Sequence, residues 1–268
     1  MTSHFVPRGR GLVVAVLAAL LAACAATPGD SPGKDVKTAS DQTDTSRRAN
    51  VRLELASAYF ASAQYTTALD EVKQAIAMEP KMSEAYNLRG LIYAAMGDDR
   101  LAEDSFRFAL QLNPHSGDVM QNYGWYQCLM KRYAQANELF EQALAEPHYR
   151  DTTRTLLTQG VCQARAGQLA EAEGTLKRAF ALDPGNPAIA INYADVLYQR
   201  GEYDRARFYA KRVNADPKQV SAQSLWLAAR IEYRAGDRQG ANDFGRQLRD
   251  KFPKSREANA FEQGKFDE

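Results

Sequence analysis

Residues 83–116 read SEAYNLRGLIYAAMGDDRLAEDSFRFALQLNPHS and contain one copy of a pattern that recurs along the chain. Gly90 is followed twelve residues later by Ala102, then by Phe106 and Ala109, and a proline comes soon after. Spacings of four and three place Ala102, Phe106 and Ala109 on one face of a helix, and the proline ends that helix. The stretch therefore predicts two helices joined by a turn, with small residues where their backbones meet.

The same small residues return at a nearly constant interval. The signature alanine recurs after 34, 34, 36, 34 and 35 residues, at Ala68, Ala102, Ala136, Ala172, Ala206 and Ala241. Twelve residues before each of them stands a glycine or alanine, at Ala56, Gly90, Gly124, Gly160, Ala194 and Ala229. A period near 34 predicts one helical hairpin built six times. We expect an all-α array with units at about 49–82, 83–116, 117–150, 153–186, 187–220 and 222–255. Such an array offers a long concave surface for binding.

The first residues of the chain have the composition of an export signal. Arg8 and Arg10 precede an apolar run of about a dozen residues, which is too short to span a bilayer, since roughly twenty are needed. The run ends at Leu21-Ala22-Ala23-Cys24, which resembles the signal box of bacterial lipoproteins. That resemblance implies that residues 1–23 are removed and that Cys24 is acylated. An ordinary signal followed by a coincidental cysteine is the alternative.

The residues after Cys24 predict a tether. The stretch 24–48 is rich in Thr, Ser, Asp, Pro and Gly, with few large apolar side chains, and so cannot offset its conformational entropy by burial. Ala25 follows the cysteine where an Asp would, by resemblance to Gram-negative sorting signals, favour retention in the inner membrane. We therefore expect the folded part to hang from the outer membrane, facing the periplasm.

Composition and motifs argue against catalysis and nucleic-acid binding. The net charge is +1, with no basic stripe. The three histidines are not spaced with Cys, Asp or Glu as metal ligands are, and neither a phosphate-binding loop nor a Gly-x-Ser-x-Gly elbow is present. We therefore predict no catalytic residues, no metal and no cofactor.

Two further cysteines lie on the first helices of neighbouring units, Cys128 in the third and Cys162 in the fourth. An oxidising compartment would favour a disulfide between them. Two buried thiols acting as small hydrophobic residues are the other interpretation. The spacing alone leaves both open.

The recurring pattern resembles that of tetratricopeptide repeats over about residues 49–253. The resemblance implies a right-handed superhelical solenoid in which the first helix of each unit lines an inner groove. Counting from the small residue predicts these groove positions: Leu53, Phe60, Asn87, Leu91, Asn122, Trp125 and Leu157. The apolar character of this set suggests an amphipathic or apolar segment as ligand. Packing between neighbouring helices is the alternative explanation of the apolar side chains, and we favour it for Leu91.

Units five and six depart from the repeat pattern, as terminal repeats facing solvent do. We expect a capping segment at 254–268.

A more specific resemblance rests on four stretches: Asn122-Tyr123-Gly124-Trp125-Tyr126-Gln127-Cys128, Gly160-Val161-Cys162, Leu225-Trp226-Leu227-Ala228-Ala229-Arg230-Ile231 and Phe252-Pro253-Lys254-Ser255. With the signal box and six units, they resemble type IV pilus biogenesis lipoproteins, which bind the pilus secretin and promote its assembly in the outer membrane (pilotins). The family implies a Cys128–Cys162 disulfide, a secretin subunit as partner and an acyl anchor. We expect a monomer. The alternative is a lipoprotein repeat scaffold for outer-membrane barrel assembly or cell-wall synthesis.

Overall fold

The computed structural model describes residues 1–2 and 43–266, and within these ranges it contains thirteen α-helices and no strand. The helices are α1 (Asp44–Ala61), α2 (Tyr65–Met78), α3 (Ser83–Met96), α4 (Asp99–Leu112), α5 (Gly117–Leu129), α6 (Tyr133–Ala145), α7 (Thr152–Arg165), α8 (Leu169–Leu182), α9 (Pro187–Gln199), α10 (Tyr203–Asn214), α11 (Ala222–Arg234), α12 (Arg238–Lys251) and α13 (Arg256–Glu262). Over these described ranges, no helix has the length and apolar character that a membrane crossing requires. Cys24 lies outside them, as do nearly all of the predicted signal and most of the tether.

The helices pair into six hairpins that stack in chain order. Each odd-numbered helix packs against the even-numbered helix that follows it, and against the next odd-numbered helix. Each even-numbered helix also contacts the helix that follows. A contact pattern limited to neighbours is that of a solenoid. The predicted all-α repeat architecture is confirmed.

Local signals end each helix and begin the next. The side chain of Asp98 accepts a hydrogen bond from the backbone N–H of Leu101 and so caps α4, while Ser221 and Ser224 form a reciprocal capping box on α11. Gly97 ends α3 in the left-handed conformation, with φ of 80°, which a residue without Cβ adopts readily. These signals fix the hairpin lengths and therefore the period of the array.

In units two, three and four, the glycine on the first helix is required by the large residue opposite it. A Cβ added at Gly90 would lie 2.8 Å from the Phe106 ring, and one at Gly160 would lie 2.6 Å from Cγ of Leu176. Phe106 and Leu176 are fully buried between the two helices of their hairpins. The twelve-residue interval in the sequence thus records a contact in which the backbone of one helix touches a core side chain of the other.

The chain after unit six explains why that unit departs from the pattern. We expected a terminal repeat with one face towards solvent, followed by a capping segment at 254–268. In the structure, α13 lies in that segment and packs against both α11 and α12, in the position that the first helix of a seventh unit would take. The ring of Phe261 occupies the space beside Gly245, where units one to four carry a larger apolar residue. In unit five, Ala210 is buried in the same cluster as Tyr193, whose ring packs on that of Tyr209 with centroids 4.6 Å apart.

The start of the folded array differs from the sequence prediction. Helix α1 begins at Asp44, so residues 44–48 of the predicted tether are helical. The negative charge of Asp44 in the first turn interacts favourably with the positive end of the helix dipole, and Arg47 forms an ion pair with Asp44.

In the lengthened connection between units three and four, the ring of Tyr149 covers Gly117, and the hydroxyl of Tyr149 lies 2.6 Å from Oγ1 of Thr155. The extra residues there are ordered by these contacts.

Candidate binding groove

One continuous groove of about 440 Å³ runs along the inner face of the array. Residues from all six units line it: Phe60, Leu91, Gln121, Asn122, Trp125, Arg154, Leu157, Thr158, Val161, Asn192 and Gln223. The odd-numbered helices supply every one of them. Five of the seven predicted groove residues are in this set: Phe60, Leu91, Asn122, Trp125 and Leu157. We call this surface the inner groove.

Helical periodicity explains why these positions face the same way. On α7, Arg154, Leu157, Thr158 and Val161 are spaced by three, one and three residues, which keeps them on one side of the helix. The sequence interpretation missed Arg154 and Thr158 as groove residues, although their spacing from Leu157 could have identified them. It also missed Gln223. As a result, the inner groove has more polar and positive character than predicted.

The two remaining predicted residues lie beside the inner groove. Leu53 is half-buried and packs against the hydrophobic cluster of units one and two. Asn87 is partly buried, and its Oδ1 accepts a hydrogen bond from Nδ2 of the lining residue Asn122 at 3.3 Å. Oδ1 of Asn122 accepts one in turn from Arg154 at 3.5 Å. This chain of contacts joins three first helices and sets the orientation of the Asn122 amide.

The apolar part of the inner groove consists of Phe60, Leu91, Trp125 and Leu157, each of them partly exposed. The guanidinium of Arg165 lies 4.8 Å from the Trp125 ring centroid, a cation–π contact that holds the indole in place. Half-exposed apolar side chains bordered by amides suit the apolar face of an amphipathic segment, because the amides satisfy polar groups at its edges.

The two cysteines on α5 and α7 form a disulfide in the structure. Cys128 and Cys162 are buried, with their Cα atoms 5.8 Å apart. Both belong to a cluster that Trp125 and Tyr133 pack against. The bond therefore joins the two helices that carry Trp125 and Leu157, and so fixes the width of the inner groove at its centre.

A polar concavity of about 310 Å³ continues the inner groove between α7 and α9 and shares Val161 and Asn192 with it. Asp195 lines this concavity and accepts a hydrogen bond from Nε2 of Gln199 at 2.6 Å. Burial raises the pKa of Asp195 above the usual aspartate value, although Gln199 and the charge of Arg230 act in the opposite direction.

We expect Asp195→Asn to raise the melting temperature at pH 7. The pKa of Asp195 in the folded state lies above the value of about 3.9 in the unfolded chain, so ionisation of this carboxyl favours unfolding at any pH above about 3.9. Asparagine cannot ionise and therefore removes this destabilisation. The gain should disappear near pH 3.5, where the carboxyl is protonated in both states. Thermal melts followed by circular dichroism at the two pH values measure it. Asp70→Asn, at an exposed position of α2, is the control. An equal gain in both variants would contradict the explanation.

In the described part of the chain, the side chains that could ligate a metal ion are dispersed. Over residues 43–266, no three His, Cys, Asp or Glu side chains come together as a metal site needs. His115, which is exposed, places Nδ1 at 3.1 Å from Oε1 of Glu146. This pair joins the loop after α4 to the end of α6 and does not belong to the inner groove.

Stacked hairpins with a continuous inner groove define a helical repeat protein, a class whose concave surfaces bind other proteins. Family profiles described as tetratricopeptide repeat match residues 53–117 and 130–187, residues 163–231, and residues 223–255. The structure of PilW, described as a widely conserved type IV pilus biogenesis factor, is similar with a TM-score of 0.75 and 30% sequence identity, over 82% of this chain and 99% of that one. The chain belongs to the tetratricopeptide-repeat superfamily and, within it, to the family of the type IV pilus biogenesis factor PilW.

A curated relative supports the same family along nearly the whole sequence. The type IV pilus assembly protein PilF of Pseudomonas aeruginosa is 26% identical over 253 residues, which are 94% of this chain and 98% of PilF. The solved structure of Pseudomonas aeruginosa pilF shares the fold, with a TM-score of 0.71 and 23% identity over 83% of this chain and all of that one. The family predicted from the sequence is thereby confirmed.

Proposed function

We propose that this protein is a pilotin, an outer-membrane lipoprotein that binds the type IV pilus secretin and promotes its localisation and assembly into a multimer. The proposed activity is binding and escort. Acyl chains on Cys24 would supply the anchor, because two or more chains give stable membrane attachment. The inner groove would hold a segment of the secretin subunit.

The observation that carries this proposal is the apolar lining of the inner groove. Phe60, Leu91, Trp125 and Leu157 come from four successive units and remain partly exposed on a surface where no other part of the described chain covers them. An amphipathic helix needs apolar contacts repeated along its length, and successive repeats provide them at regular steps. The proposal also draws on the relatives PilF, a type IV pilus assembly protein, and PilW, a type IV pilus biogenesis factor.

Contacts within the folded array hold the aromatic residues of the inner groove in position, which suits the binding of a peptide segment. Phe60 packs against Tyr65 with ring centroids 5.8 Å apart, and Trp125 is held by Arg165, so both rings have a fixed position before a ligand arrives. A rigid aromatic surface loses little side-chain entropy on binding. The disulfide between α5 and α7 contributes in the same way, because it holds two lining helices together.

Phe60→Asp is expected to abolish secretin multimers in cells while leaving the helical content unchanged. A carboxylate at this position would be desolvated against an apolar ligand without a partner, which is strongly unfavourable. Multimers are measured as the heat-resistant band in membrane fractions, and folding by circular dichroism of the purified variant. Leu157→Asp tests the same groove from unit four.

Phe208→Asp is the matched control, because Phe208 is an aromatic residue of α10 that is 61% exposed and outside the inner groove. It should leave the multimers intact. Normal multimers in both groove variants would refute the proposed site. Co-purification from detergent-solubilised outer membranes identifies the partner, and recovery of barrel-assembly or cell-wall synthesis proteins in place of the secretin would refute the proposed function itself.

A further inference from the structure

The end of the described chain folds back onto the first helix of unit six. Phe266 is 8% exposed, and its ring stacks on Tyr233 with centroids 4.1 Å apart and an interplanar angle of 1°. Trp226 lies on another side of the ring, at 5.3 Å between centroids. Two aromatic side chains of α11 therefore form a seat for one aromatic ring.

The same seat holds the backbone of Phe266. Its carbonyl oxygen accepts hydrogen bonds from Nε of Arg230 at 3.3 Å and from the hydroxyl of Tyr198 at 3.4 Å. The Arg230 guanidinium also lies 4.7 Å from the Tyr198 ring centroid, so the two donors support each other. Recognition of a ring together with a main-chain carbonyl is the chemistry of a peptide-binding pocket. We call Tyr198, Trp226, Arg230 and Tyr233 the terminal pocket.

The terminal pocket belongs to the inner face of the array. Gln223 lines the inner groove, and Trp226, Arg230 and Tyr233 follow it by three, seven and ten residues, which keeps them on the same side of α11. Phe266 thus covers a stretch of the inner face that earlier units leave open. Arg238 lies 3.7 Å from the Tyr233 ring centroid and steadies the ring on which Phe266 stacks.

The two aromatic residues of the C-terminal segment contact each other but fill different spaces. Phe261 fills the space beside Gly245, within the core of the last unit. Phe266 comes after the end of α13 and follows Gly264, which has φ of 68° and no atom within 4 Å of where a Cβ would lie. Two contacts join this short link to α13: the backbone N–H of Lys265 donates to the carbonyl of Ala260 at 2.9 Å, and the Phe266 ring meets that of Phe261 edge-on with centroids 6.0 Å apart. Release of Phe266 from the terminal pocket therefore gives up the contact with Phe261, while Phe261 keeps its place beside Gly245.

We propose that the terminal pocket is a binding site for an aromatic residue of a protein partner, and that Phe266 occupies it in the free protein until the partner displaces it. The ligand is a peptide segment that presents one aromatic side chain and that residue's backbone carbonyl. A ring attached to the same chain competes at a high effective concentration, so the site discriminates against weak ligands. This inference concerns units five and six and stands independently of secretin binding by the inner groove.

The test uses the full chain in a Trp125→Phe background, where Trp226 is the remaining tryptophan and reports on the terminal pocket. The probe is a synthetic peptide of residues 259–268, NAFEQGKFDE, titrated while Trp226 emission is followed. Phe266→Ala empties the pocket and should bind the peptide at least tenfold more tightly than the parent chain. A peptide with Tyr at the position of Phe266 should also bind, and one with Ala there should lose at least tenfold in affinity.

Gly264→Val provides a second variant that leaves every pocket and core side chain in place. A β-branched residue in the left-handed region is disfavoured, by a factor of about five to thirty, so the seated tail is weakened and the peptide should bind more tightly by a similar factor. Phe208→Ala, at an exposed aromatic position outside the pocket, should bind the peptide no better than the parent chain.

Three results would overturn the inference. The first is equal affinity of the parent chain, Phe266→Ala and Gly264→Val for the peptide. The second is equal binding of the Phe and Ala peptides. The third is sedimentation of the parent chain as a dimer that Phe266→Ala converts to a monomer, because the pocket would then hold the tail of a second copy.

Discussion

Removal of the Cys128–Cys162 bond is expected to lower the melting temperature by about 10 °C. The bond closes a loop across a sequence separation of 34 residues, and restricting such a loop in the unfolded chain contributes roughly 4 kcal/mol in the chain-entropy account. For a chain of this size, each kcal/mol corresponds to about 2–4 °C. Because the bond joins α5 to α7, units three and four should separate first, and the inner groove should lose its shape at the centre.

Thermal melts with and without a phosphine reductant measure this effect. Cys24→Ser is used as the background, so that Cys128 and Cys162 are the two remaining cysteines. The double variant Cys128→Ala with Cys162→Ala should melt near the reduced parent and should be insensitive to reductant. A melting temperature that reduction leaves unchanged, in a sample shown by thiol titration to be fully reduced, would mean that the bond adds nothing to stability.

Gly160→Ala and Gly174→Ala are expected to change stability in opposite directions. A Cβ at Gly160 would lie 2.6 Å from the branch carbon of Leu176, which is buried and cannot swing away. Overpacking of this kind costs about 1–3 kcal/mol. Gly174, on α8 of the same unit, has no atom within 4 Å of an added Cβ. Alanine there gains helix propensity, worth about 1 kcal/mol.

Urea unfolding of the two variants beside the parent chain provides the measurement, with the midpoint and slope compared. The two substitutions are chemically identical, lie in the same repeat and differ in the space around the new methyl group. Because both positions lie inside helices, the propensity gain is common to both variants, and the expected difference between them is the overpacking cost of about 1–3 kcal/mol. Stabilisation by Gly160→Ala would show that the two helices of the hairpin separate easily, and the close-contact explanation of the repeat signature would fail.

Much of the fold follows from the sequence because each unit is determined by local rules. Helix length, the left-handed turn at Gly97 and the pairing of Gly90 with Phe106 all lie within one stretch of 34 residues. A contact between residues so near in the chain appears as a fixed interval, and a repeat displays the interval six times. The groove residues Phe60, Asn122 and Trp125 could be predicted for the same reason, since the face of a helix follows from counting along it.

The rest depends on contacts between residues that no interval links. Gly245 of unit six is explained by Phe261, and the seat on Tyr233 and Trp226 is taken by Phe266 from beyond the repeats. Leu53 and Asn87 have the right spacing for the inner groove, yet the packing of neighbouring helices sets them beside it. The sequence alone determined that hairpins stack and which faces turn inward, because both follow from local periodicity. The tertiary structure decided which inward positions stay open and which the chain itself covers, because that depends on side chains brought together from different units.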